Sequence, residues 1–148
     1  DIGYAQSNRE RYEGFCQALM DAGKTPNPSL CLTTPLGIDS YREEIDSFLS
    51  SLSRMPDAFV CASDYVACIL MQLLEKRGLR VPEDVAVSGF DNNIEDLLAE
   101  NLTTVQVFNE ELGSRLALQI LYRIKYPHTP HEVTYLESKV LYRASTGD

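Results

Sequence analysis

Two hydrophobic rhythms alternate along the chain. Over residues 8–22, Tyr12, Phe15, Cys16, Leu19 and Met20 recur at i, i+3, i+4, i+7 and i+8, the single apolar stripe of a helix. Ser7 or Asn8 is expected to cap its start and Gly23 to end it. Gly14 lies inside the pattern, where glycine weakens a helix, so close packing against a strand is the expected reason for it. The same rhythm returns over 40–53 through Tyr41, Ile45, Phe48, Leu49 and Leu52, with Asp39 as the N-cap. It returns again over 65–77 through Ile69, Leu70, Leu73 and Leu74, with Asp64 as the favoured cap and Gly78 closing the helix. A short helix is expected at 93–99. A long one is expected at 109–125, with Leu112, Leu116, Ile120, Leu121 and Ile124 as its inner face.

Between these helices lie short apolar runs that read as strands: 29–33, 58–62, 85–90, 103–108, and one long or two short strands over 132–143. The opening Asp1-Ile2-Gly3-Tyr4 reads like the end of a strand already under way, so the chain is expected to be part of a longer protein. The runs at 58–62 and 85–90 are continuously apolar, the habit of parallel strands buried on both faces. Alternating strands and helices predict an α/β fold, a doubly wound parallel sheet with right-handed crossovers. Ligands of such sheets bind beyond the carboxyl ends of the strands. The polar residues there are Gln6, Ser7, Ser63, Asp64, Asp91 and Asn92, with Arg9 and Arg11 on the same edge.

Composition narrows the chemistry. With 148 residues, 44% of them hydrophobic, the chain can build an ordinary core. Its net charge of −9 gives it no general attraction for phosphate backbones, so any part acting on DNA is expected outside this sequence. No apolar run approaches the ~18–20 residues of a membrane span. The four cysteines form no C-x-x-C pair and are expected as free thiols in a reducing compartment. His128 and His131 stand apart from them in a loop, so no metal site and no cofactor are expected. Neither a phosphate-binding glycine loop nor a nucleophile elbow is present, and no enzyme activity is expected. Asp91 reads either as an acceptor for ligand hydroxyls and ring N–H groups or as the N-cap of helix 93–99. Arg11 reads either as a planar clamp for a ligand or as a surface charge paired with Glu10 or Glu13.

Five segments carry a resemblance. Arg11-Tyr12-Glu13-Gly14-Phe15-Cys16-Gln17-Ala18-Leu19, Pro56-Asp57-Ala58 through Ser63-Asp64, and Gly78 through Val81-Pro82-Glu83-Asp84-Val85 to Gly89-Phe90-Asp91 follow in order. Leu102-Thr103-Thr104-Val105 and Arg143-Ala144-Ser145-Thr146 complete the series. Together they resemble the lactose/galactose-repressor (LacI/GalR) family of bacterial transcription regulators over essentially the whole chain. The resemblance implies a periplasmic-binding-protein-like effector region of two Rossmann-like subdomains, with a small effector of the sugar or nucleobase class between them. It implies effector contacts from Arg11 and Asp91, from Ser63 where the family usually has Asn, and from the loop containing Ser7. It assigns 1–102 and 134–148 to the C-terminal subdomain and 103–133 to the N-terminal one. It further implies a cytoplasmic homodimer, joined through helices 65–77 and 93–99 with Leu97 and Leu98, that reaches DNA through a helix-turn-helix absent from this chain. A periplasmic sugar-binding protein of an uptake system is the alternative, and a small-molecule enzyme on the same sheet is a third reading.

Overall fold

The computed structural model describes Gly3 and residues 5–34, 40–93 and 97–147. Five α-helices appear in that range: α1 (Gln6–Asp21), α2 (Tyr41–Ser51), α3 (Asp64–Lys76), α4 (Leu97–Glu100) and α5 (Asn109–Lys125). Four strands accompany them: β1 (Ala58–Val60), β2 (Ala86–Ser88), β3 (Thr104–Gln106) and β4 (Lys139–Leu141). The opening residues expected as a strand, apart from Gly3, lie outside the described residues, as does the expected cap Asp39. The N-cap position of α2 is held by Ser40, whose hydroxyl donates to Glu44.

β1 and β2 pair in parallel, with Phe59 opposite Val87. Isolated parallel bridges, Ser88 to Thr103 and Asp91 to Gln106, carry the arrangement on from β2 to β3. β4 departs from the all-parallel expectation, because it pairs antiparallel with β3 and sets Gln106 opposite Lys139. The reason is the path of the chain. α5 carries it outward by about 25 Å at 1.5 Å per residue, and the 126–138 segment returns it to the end where β3 stops. The rest of the expected 132–143 strand has no ladder partner among the described residues.

The core forms where α2 and α3 cover β2. Ile45, Leu49, Leu70, Leu73, Leu74, Val85, Val87 and Leu102 are all buried. Arg77 locks the two helices together. Its guanidinium meets the Asp46 carboxylate at 2.6 Å and donates to the Asp46 carbonyl at 3.0 Å and the Ser50 hydroxyl at 3.1 Å. α3 ends as expected, with Gly78 at φ +74 where a side chain would be strained. The Val81–Asp84 turn is closed by Asp84, which accepts from the Arg80 backbone N–H at 2.8 Å and from both arms of its guanidinium at 2.9 Å. The Arg80 side chain first, then its backbone N–H, holds the Asp84 carboxyl down to about 2.

Several local expectations are corrected. Residues 29–33 form no strand. Asn27 accepts from the Ser29 N–H at 3.0 Å, and Pro28 opens a one-turn 3-10 helix, Pro28–Leu30, so turn chemistry overrides the apolar pattern. α1 begins at Gln6 with Ala5 at its N-cap, so neither Ser7 nor Asn8 caps it. Among the described residues a Cβ on Gly14 would meet nothing within 4 Å, so none of them packs closely on this glycine. Ser63, not Asp64, is the N-cap of α3 and accepts from the Val66 N–H at 3.4 Å. β1 is not buried on both faces, since Val60 is 63% exposed. The largest departure is α5. It forms as predicted, yet none of its residues is buried, and Leu116, Ile120 and Ile124 of its intended inner face stand exposed.

The closing Arg143–Thr146 segment proves to be a polar staple. Ser145, buried, donates to the Val87 carbonyl at 2.6 Å and accepts from the Thr103 N–H at 2.8 Å. Ser145→Ala leaves both backbone groups without that partner. It should cost about 1–2 kcal/mol, read as a lower midpoint in urea at unchanged slope.

Candidate functional site

The carboxyl ends of β1 and β2 lie side by side. The Cys61 N–H donates to the Ser88 carbonyl at 2.8 Å and the Asp64 N–H to the Phe90 carbonyl at 2.9 Å. This zippering fixes residues 61–64 beside 88–91. Arg11 of α1 comes down on that edge. Its Nη1 donates to the Ala62 carbonyl at 2.6 Å, its Nη2 lies 3.7 Å from Asp91 Oδ1, and its guanidinium carbon sits 3.7 Å above the centroid of the Phe90 ring. The guanidinium thus stacks on an aromatic face while one arm is anchored to backbone. At 3.7 Å the Arg11–Asp91 contact is an ion pair and too long for a hydrogen bond. Both side chains keep close to a third of their surface exposed, so donors and acceptors remain open to a small molecule.

Arg11 therefore pairs with Asp91 rather than with Glu10 or Glu13, and Glu10 accepts instead from Gln6 at 2.8 Å. Asp91 has φ +110, unlike the extended backbone of an N-cap. Burial pushes its carboxyl above the ordinary carboxylate range, Arg11 opposes that shift, and the nearby Asp64 carboxylate adds to it. Ser63 joins the edge, though its oxygen is engaged as the α3 cap. Ser7 lies exposed in the first turn of α1, four residues ahead of Arg11 and so on the same helix face. Arg9 is exposed and is not brought to this edge by any contact among the described residues.

Beneath the edge lies a support made by Asp64, which the strand-end pattern pointed out, and Thr104, which it did not. Asp64 is 2% exposed and accepts from Thr104 Oγ1 at 2.5 Å. Gly89 lets that carboxylate in, because a Cβ there would collide with Asp64 Oδ1 and come within 2.9 Å of Leu102 Cδ2. Phe90 was also missed as the platform under Arg11. The Gly89-Phe90-Asp91 run offered that signal, but an apolar strand residue reads first as core. Cys61, buried behind the site, has its thiol pushed up to about 12 by burial, then by Cys68 and Asp64, so it is not a nucleophile at neutral pH. All four cysteines are free.

A concavity of about 430 Å³ lies along α5 between Ile120, Ile124 and His131. None of its lining residues belongs to the Arg11–Asp91 edge. It is a crease between the exposed apolar face of α5 and the segment that follows, lined by Leu116, Ile120 and Ile124 together with Gln119, Arg123, His131 and Glu132, and Arg123 spends one arm on the Thr129 and Pro130 carbonyls at 2.9 and 3.1 Å.

Comparison with known proteins bears on this edge. The family described as periplasmic binding protein-like domain matches residues 2–146. The chain belongs to that family, in its LacI/GalR branch. Among curated relatives it is 28% identical over 141 residues to the transcriptional repressor PurR of Photobacterium profundum, covering 95% of this chain and 42% of the relative. It is 34% identical over 113 residues to the transcriptional regulator DegA of Bacillus subtilis, covering 76% of this chain and 33% of the relative. Two solved structures are similar in shape. A LacI-family regulator from Sanguibacter keddieii superposes with a TM-score of 0.81 at 30% identity, covering 93% of this chain and 52% of the other. The regulator CelR in complex with cellobiose superposes with a TM-score of 0.79 at 30% identity, covering 92% of this chain and 42% of the other. The LacI/GalR chain thus spans less than half the length of these curated relatives. They are transcription regulators, which disfavours the uptake-protein alternative. Among the described residues of this LacI/GalR chain, no helix is long and apolar enough to cross a membrane.

Proposed function

We propose that the Arg11–Asp91 edge is half of an effector site, and that the chain works as the C-terminal part of the effector-binding region of a LacI/GalR-type regulator. One observation carries this reading: residues far apart in sequence place a guanidinium and a carboxylate together, half-exposed, at the carboxyl edge of the sheet. The pair suits a polyhydroxylated or heterocyclic ligand. Arg11 offers planar N–H donors to ring oxygens or carbonyls. Asp91, held partly desolvated and too far from Arg11 for a hydrogen bond, gains from a ligand hydroxyl or ring N–H that donates to it. Ser63 and the Ser7 face of α1 border the same space. Cellobiose in the CelR complex supports the sugar class, with nucleobases as the other candidate.

In this reading residues 1–102 and 134–148 form one subdomain, and 103–133 belongs to a second one built mainly by a region outside this chain. The exposed apolar face of α5 supports that division, because it is patterned for burial yet uncovered. The effector acts only through its unequal affinity for open and closed arrangements of the two subdomains. DNA is reached through the absent helix-turn-helix, the assembly is a cytoplasmic homodimer through α3 and α4, and no reaction is catalysed.

Calorimetry of the intact protein against cellobiose, D-ribose and adenine tests the site. Arg11→Ala and Asp91→Ala should each weaken whichever ligand binds by about tenfold or more, since a charged hydrogen bond contributes about 1.5–3 kcal/mol. Unchanged affinity in both variants would place the effector elsewhere.

A further inference from the structure

Asp91 and Asn92 are successive non-glycine residues at positive φ, +110 and +49. Such backbone persists only where its surroundings fix it, and it clusters at ligand sites. Val105, Arg143, Gln106 and Asn92 itself fix this turn. The Asp91 N–H donates to the Val105 carbonyl at 3.0 Å. Asn92 Oδ1 accepts from Arg143 Nη2 at 2.7 Å, and Asn92 Nδ2 donates to Gln106 Oε1 at 2.5 Å. The other arm of Arg143 donates to the carbonyls of Ala99 at 3.0 Å and Leu102 at 2.9 Å. One guanidinium from the C-terminal segment thus ties the turn after β2 to the approach to β3, and Gln106 joins the same side chain from the end of β3. Asn92 spends both ends of its amide on this bracket and points none of it at the Arg11 edge.

We propose that Asn92 is a positioning residue: clamped between Arg143 and Gln106, it fixes the turn that presents Asp91 to Arg11. The proposal deepens the effector-site reading and rests on it for the ligand, but the bracket itself is tested without one. A clamp that served stability alone would have no reason to govern the neighbouring carboxylate. A positioning clamp sets how far Asp91 sits from solvent, from Arg11 and from Asp64, the groups that act on it.

Asn92→Gly is the informative variant. Glycine adopts φ +49 freely, so the substitution adds no backbone strain while both side-chain bonds are lost. Asn93→Gly, at the exposed neighbour, is the control for loosening the turn. Carboxyl NMR titration of Asp91 and thermal melting are read in the intact protein, with calorimetry against cellobiose, D-ribose and adenine. In Asn92→Gly the Asp91 midpoint should fall toward the ordinary carboxylate value as burial relaxes, the melting midpoint should drop only modestly for the two side-chain bonds lost, and affinity for any probe the parent binds should fall about tenfold. Asn93→Gly should move none of these. An Asp91 midpoint unmoved by Asn92→Gly, or a large drop in melting with Asp91 unchanged, overturns the proposal. If the parent binds no probe while Asn92→Gly still shifts Asp91, the positioning role stands and the effector reading falls.

Discussion

Gly89→Ala should destabilise the chain by about 2–4 kcal/mol. Two costs combine. The new Cβ meets the Asp64 carboxylate and backbone on one side and Leu102 on the other, in a place where Gly89 and its neighbours are buried. Leu102 is fully buried and Asp64 is anchored in the first turn of α3, so neither can retreat into solvent. Overfilling a packed interior costs about 1–3 kcal/mol by itself. The displaced carboxylate also loses the Thr104 hydroxyl at 2.5 Å, leaving a buried acceptor short of a donor. Urea denaturation followed by circular dichroism measures the total. Thr104→Val isolates the second cost, because it removes the donor at nearly constant volume, and it should account for roughly half the loss. A Gly89→Ala midpoint equal to the parent's would mean that the Asp64 pocket is not as tight as described.

That pocket also shows where sequence reading succeeds and where it stops. The carboxyl-edge rule needed only the order of strands and helices, and Arg11, Ser63 and Asp91 do share that edge. Asp64 was legible as a polar residue at a strand end. Its partner Thr104 lies 40 residues on and is joined to it only by the sheet, which no local pattern encodes. Asn92 was noticed for the same reason as Asp64, while its dependence on Arg143 needed the path of the last strand. Periodicity found α2, α3 and α5 to within two residues or so of their ends. It failed at 29–33, where Asn27 and Pro28 impose a turn, and at β4, whose direction depends on the route of the chain after α5. For α5 it identified the helix and its apolar stripe. A stripe says that something must cover it, and says nothing of whether the cover lies in the same chain.

Ile120 turns that last point into an experiment whose sign depends on what else is present. In the 148-residue chain Ile120 is 51% exposed, so Ile120→Lys should change stability by no more than about 0.5 kcal/mol. It should also reduce self-association at high concentration, because a charge breaks the patch formed with Leu116 and Ile124. In a protein that carries the upstream region of its relatives, we expect that region's subdomain to cover α5. The same lysine would then be buried without a partner and should cost more than about 3 kcal/mol. Sedimentation at several concentrations measures the first effect, and paired urea titrations of the short and long proteins measure the second. Equal losses in both would mean that α5 is covered within this chain. A negligible loss in the long protein would mean that the upstream region leaves α5 bare, and 103–133 would then belong with the rest of the chain rather than to a second subdomain.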